Sequence, residues 1–147
     1  MDYDNMPAGR EMDALVAQKV MGESKWEPFV RSVIPNEPCG TSFNGCPYEK
    51  DNHYKYWHET GLEELHNRKS PKYYSTSISS AWEVVEKLSK IKAIWVGNER
   101  DGNGWTCLIG EPNPHVLLPE AKVDADGYGE SAPLAICRAA LKAVDNA

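Results

Sequence analysis

The chain has 147 residues, of which 41% are hydrophobic and 26% charged, an ordinary globular balance that allows one core burying roughly two-thirds of the unfolded surface. Its net charge of −6 argues against a general nucleic-acid binder or a membrane-surface binder, since both need a basic face. No apolar run approaches the ~20 residues of a bilayer span, and the acidic start MDYDNMPAG has neither the basic nor the apolar region of a secretory signal.

The first predicted element is a helix from Pro7 or Gly9 to Met21. Met12, Leu15, Val16, Lys19 and Val20 fall on one face, with the Lys19 stem along its edge, and Gly22 stands where a left-handed residue ends a helix. From 23 to 72 the periodicity fades, because Pro28, Pro35, Pro38, Pro47 and Pro71 interrupt any long element. This stretch reads as a loop-rich insertion. A short helix is expected within it, from about Asp51 to His66, on the spacing of Tyr54, Trp57, Leu62 and Leu65.

Tyr73 to Lys90 holds the clearest helix start in the chain, with the helix itself expected at about 77–90. Ser75, Thr76 and Ser77 offer capping oxygens, Ser80 and Glu83 have capping-box spacing, and Ile78, Ala81, Trp82, Val85 and Leu88 form the apolar stripe. IKAIWVGN and WTCLIG, on either side of the turn-rich NERDGNG, predict a β-hairpin over 91–97 and 104–110. A third strand is expected from His115 to Val123, at an edge or with a bulge because of Pro119, with DADGYG (124–129) as the turn after it. The last element is a helix from Ser131 to Val144, with Ser131 as cap and Pro133 in the first turn. Leu134, Cys137, Leu141 and Val144 lie on its inner face.

These elements predict one α+β domain over 1–147, an α–β–α sandwich with its core in 7–22 and 73–147 and an insertion at about 23–72. The expected core residues are Leu15, Trp82, Val85, Ile94, Leu108, Ile136 and Leu141.

Little of the sequence carries chemistry. A cytosolic location is expected, where the four cysteines are thiols or metal ligands rather than disulfides. Cys39 and Cys46 with His53 and His58 are weak zinc candidates, since the six residues between the cysteines exceed the usual knuckle spacing. HETGLEELH is not HExxH, and neither NERDGNG nor DADGYG has the glutamate of a calcium loop. No nucleophile elbow, Walker loop or dinucleotide fingerprint is present, so no catalytic residue is assigned and no cofactor is expected. One constellation suggests an anionic ligand. Arg68, Lys69 and Lys72 precede Tyr73, Tyr74, Ser75, Thr76 and Ser77 at a helix start, where unpaired N–H groups favour a phosphate and Tyr73 or Trp105 could stack on a base. The alternative is a solvated basic loop with Tyr74 folded onto the helix.

Three segments together resemble the phage ABA-sandwich domain family, found in phages and prophages of Gram-positive bacteria: GREMDALVAQKVMG (9–22), YSTSISSAWEVVEKL (74–88) and SAPLAICRAALKAV (131–144). Members typically carry a GRE-D-LVAEKVMG start, a YSTDIAAAWEVVEKL centre and a TAPLAICRAALKA end. Ser77 stands where the family has Asp, and Ser79 and Ser80 where it has Ala. The resemblance implies an α–β–α sandwich and a phage source, and it brings no assigned activity. The expected function is that of a non-enzymatic accessory protein in the host cytoplasm, at its most specific a host-defence inhibitor that sequesters a small signalling nucleotide. The alternatives are an inhibitor that binds a host protein, or a structural module with or without zinc. Self-association is left open.

Overall fold

The structure is a computed structural model that describes residues 1–23, 71–99, 101–113 and 122–147 in full and 26–30 and 55–59 as backbone. Helix α1 (Arg10–Leu15) continues without a break into a wide π turn, Val16–Val20. The Met21 N–H donates to the Val16 carbonyl at 3.0 Å, five residues back, and Gly22 then leaves the helix at φ 71, the left-handed position expected of it. Met12, Val16 and Val20 are buried, as their spacing predicts, while Leu15 is half-buried.

Strands β1 (Trp26–Val30) and β2 (Lys55–Glu59) pair antiparallel, with Pro28 opposite Trp57. The expected helix over Asp51 to His66 is therefore corrected at 55–59, where Tyr56 and Trp57 follow their strand propensity. The rest of that stretch lies outside the described residues.

Helix α2 (Ile78–Leu88) starts after Ser77, and its inner face is Ala81, Val84, Val85 and Leu88. This corrects the expected stripe. Trp82 is 49% exposed and Ile78 55%, so the largest side chain of the helix faces outward. The helix packs on helix α3 (Ala132–Asp145).

Strands β3 (Ala93–Asn98), β4 (Trp105–Gly110) and β5 (Val123–Gly129) form an antiparallel sheet in the order β3-β4-β5. The hairpin is as expected, closed by Gly102 at φ 75 and by the Glu99 N–H on the Gly104 carbonyl at 2.9 Å. The third strand differs where it is described, and His115 to Ala121 of the expected strand lie outside the described residues. Val123 begins it, and DADGYG, expected to be a turn, is most of β5. The reason is the packing of α3. Register places Ala125 and Gly127 beside Ile109 and Cys107 on the face that α3 covers. A Cβ on Gly127 would lie 2.2 Å from the Ala135 carbonyl oxygen and 2.5 Å from the Ala139 nitrogen, and one on Gly129 would lie 2.9 Å from Leu134 Cγ. The glycines serve close approach of a helix rather than chain reversal.

α3 is the centre of this α+β arrangement. One side rests on β4 and β5 and another meets α2 and the π turn, so Leu134, Ile136, Cys137 and Leu141 are all buried. Ser131 caps it as predicted, its Oγ accepting from the Leu134 N–H at 3.4 Å. Near its other end, Asp145 accepts from the hydroxyl of the buried Tyr3 at 2.5 Å and from Lys19 Nζ at 2.8 Å, tying the first residues and the π turn to α3. The Lys19 hydrogen bond holds the Asp145 carboxyl below its ordinary value.

Of the expected core, Val85, Ile136 and Leu141 are fully inside, and Leu15, Ile94 and Leu108 are partly covered. The fold makes a direct prediction about β5. Replacing Gly127 with Ala forces α3 off the sheet and should lower unfolding free energy by roughly 1–3 kcal/mol, the usual scale of overpacking. Tyr128→Ala, at the neighbouring exposed position, should change it by less than ~0.5 kcal/mol. Denaturant midpoints of the two variants check the contrast.

Candidate functional site

The segment that precedes α2 is fixed by the start of α1. Asp13 has no solvent exposure, and both of its oxygens are occupied. Oδ2 accepts from Arg10 Nη1 at 2.7 Å, while Oδ1 accepts from the Ser75 N–H and the Ser75 hydroxyl, each at 2.7 Å. The same hydroxyl oxygen accepts from the Gly9 N–H at 2.9 Å. Arg10 completes the lock by donating through Nη2 to the Pro71 carbonyl and through Nη1 to the Lys72 carbonyl at 3.4 Å.

This lock decides which residues of the expected ligand site face solvent. Tyr74 and Ser75 point inward. Tyr74 is buried, donates to Glu23 Oε1 at 3.0 Å, and has its phenol pushed up by burial and by that carboxylate. Ser75, expected as a cap for α2, instead serves α1 and Asp13. Tyr73 points outward, 59% exposed, with the Arg10 guanidinium 4.3 Å from its ring centroid. Thr76 is exposed beside it. Ser77 is the N-cap residue of α2, but its hydroxyl bonds the Ser79 hydroxyl at 3.0 Å and makes no capping bond.

Lys72 is exposed and pairs with Glu83 at 2.6 Å, so its charge is engaged within the chain. Trp105 opens β4, opposite Asn98 and Gly129, and packs partly buried against the core. Its strand partners belong to β3 and β5 rather than to 71–77. Arg68 and Lys69 lie outside the described residues, as do Cys39, Cys46 and His53. His58 falls in β2, where only the backbone is described. The described residues contain no cluster able to hold a metal ion.

The surface that results is a shelf at the N-terminal end of α2. Tyr73, Thr76, Ser79, Ile78 and Trp82 are all exposed there, bordered by the Arg10 guanidinium and Lys72. It can offer aromatic faces, hydroxyls and the N–H groups of a helix start to a ligand. It holds no activated nucleophile. The described thiols are elsewhere and inert, since burial pushes Cys107 up to about 12 and Cys137 higher still. Arg10 and Asp13 were missed in the sequence. The signal was present in GREMDALVA, where an acid occupies a position between buried Met12 and Ala14.

The model of the phage ABA sandwich domain family matches residues 14–141. A similar solved structure is a phage protein from Bacillus cereus ATCC 14579, with 24% identity, 95% of each chain covered and a TM-score of 0.51. That likeness concerns the fold alone. No curated protein matches the chain.

Removing the buried carboxylate tests whether the lock sets the shelf. Asp13→Ala strands the Ser75 N–H and one guanidinium bond, and should cost roughly 3 kcal/mol, the lower end for a broken buried pair because Arg10 keeps some solvent contact. Ser75→Ala should cost less, on the order of 1–3 kcal/mol. Melting curves and equilibrium unfolding of both variants give the comparison.

Proposed function

This chain belongs to the phage ABA sandwich domain family, and from that premise we propose that it is a non-enzymatic phage accessory protein that acts in the host cytoplasm by binding a small signalling nucleotide of a host defence system. The observation that carries this reading is the exposed Tyr73 ring under the Arg10 guanidinium, beside a helix start whose N-cap serine makes no capping bond. A purine or pyrimidine can stack on such a ring, and the first-turn N–H groups and helix dipole favour the phosphate of the same ligand. Lys72 can exchange Glu83 for that phosphate at small cost, because exposed ion pairs contribute little. In a chain of net charge −6, such a locally favourable site offers selectivity for a small ligand over a polyanion. Sequestration rather than turnover fits a shelf without a nucleophile or a general base. No cofactor enters this reading.

A second reading is supported by α2 itself. Ile78 and Trp82 are four residues apart and both about half exposed, the arrangement of an apolar anchor pair for a host protein surface.

Thermal shift across a panel of cyclic and ADP-ribose-type nucleotides separates the two. A binder should raise the melting temperature, and added salt should reduce the shift. Tyr73→Ala should remove the shift while leaving the unliganded melting temperature nearly unchanged, because the ring is exposed. If no nucleotide acts and Trp82→Ala instead abolishes retention of a host protein, the inhibitor of a host factor replaces the nucleotide sponge.

A further inference from the structure

The two edges of the sheet are finished differently. The β5 edge is guarded: the Tyr128 carbonyl accepts from Arg138 Nη1 at 2.7 Å, the Asp124 carbonyl from Asn146 Nδ2 at 3.5 Å, and the register slips between Ile109 and Gly110 opposite it. Asp124 and Asp126 also put charge on that strand. Edge strands are commonly blunted in these ways, by charge, by irregularity and by capping of the free carbonyls.

β3 has none of them. Its sequence, AIWVGN, contains no charged residue and no proline, its pairing with β4 is regular, and among the described residues nothing pairs with its outer side. The direction of its free groups follows from the hairpin. The Glu99 N–H points at Gly104, so in the alternation of an antiparallel ladder the N–H and C=O groups of Ile94, Val96 and Asn98 point outward. Ile94 and Val96 pack against the core yet keep part of their surface uncovered, and Trp95 is 38% exposed on the opposite face of the sheet.

We infer that β3 is a self-association edge, and that a second copy of this chain adds its own β3 antiparallel to it, doubling the sheet. A two-fold axis perpendicular to the sheet at Val96 satisfies every outward group. Val96 exchanges both hydrogen bonds with Val96 of the second copy, and Ile94 exchanges both with Asn98. This register keeps each side chain on its own face, as a pleated sheet requires. It also sets Trp95 opposite Gly97 of the second copy. Within one chain the Trp95 ring already lies over Gly97, where an added Cβ would come within 2.4 Å of it. Across the axis the same pairing lets each indole cover a strand position that has no side chain, a known means of stabilising glycine in sheets. No like charges meet, because the strand carries none.

Sedimentation or light scattering of the full chain at high micromolar concentration should give twice the 16.4 kDa monomer mass. Val96→Pro and Asn98→Pro each remove an N–H that points away from β4, so the intrachain ladder stays intact and both variants should be folded monomers. A monomeric wild type overturns the inference, and so does a dimer that both proline variants leave unchanged. Hydrogen exchange on the wild type gives a reading that needs no variant. The Ile94, Val96 and Asn98 amides should be protected at high concentration and lose that protection on dilution. Fast exchange of those amides at high concentration overturns the proposal even if a dimer forms, because the contact then lies elsewhere. Nucleotide binding enters none of these measurements, so the edge and the shelf stand or fall separately.

Discussion

A carboxylate with no access to water organises this fold. Burying Asp13 unpaired would cost several kcal/mol, and its three donors come from Arg10 on the same helix and from Ser75, 62 residues away. Such a group tolerates little displacement, because a shift of an ångström leaves a charged oxygen unsatisfied. The start of α1 and the approach to α2 are therefore held in one geometry. The alternation of the chain through Tyr73, Tyr74, Ser75 and Thr76 follows from it. Once Ser75 must reach Asp13, Tyr74 is carried into the core and Tyr73 is left outside against Arg10. The shelf proposed to bind a ligand is in that sense the outer side of a structural lock.

The rest of the packing depends on small residues. α3 can lie directly on β5 only because Gly127 and Gly129 present no Cβ to its backbone. Close backbone approach there gives α3 dense dispersion contacts without large side chains. α3 also packs against α2, whose buried face is Ala81, Val84, Val85 and Leu88 and leaves its tryptophan outside. Turning α2 to suit this contact moves Ile78 and Trp82 to the surface, so the exposed apolar pair is a consequence of how the core is filled.

Much of the architecture was legible in the sequence, and the failures have physical causes. The helices at 9–21 and 131–144 and the hairpin were readable because caps, glycine stops and turn residues are local signals. Trp82 reads as core because stripe reasoning puts the largest apolar residue inside, whereas the face α2 turns inward is the one with Ala81, Val84, Val85 and Leu88. DADGYG reads as a turn because glycine and aspartate usually mark one, and only the position of a helix shows that glycine there makes room. The role of Ser75 was misread for a related reason. A serine before a helix is normally its cap, and nothing within a few residues indicates a partner 62 positions away. Tyr73 to Ser77 read as one ligand-facing group, and local sequence signals show neither the inward turn of Tyr74 and Ser75 nor the Arg10 stacked on Tyr73. The spacing of Cys39, Cys46 and His53 bears on residues outside those described.

The central position of α3 has a consequence for how the protein comes into being. Its residues, 132–145, follow every other described element in the chain, yet β4, β5, α2 and the π turn all bury surface against it. Until that stretch has been synthesised, the earlier elements have no common surface on which to assemble, and the apolar faces of the sheet and of α2 remain open. Contacts of such wide sequence separation also slow the search for the native state. The core therefore closes only once α3 is present, and the interval before it arrives is when an unguarded strand such as β3 is most open to the wrong neighbour.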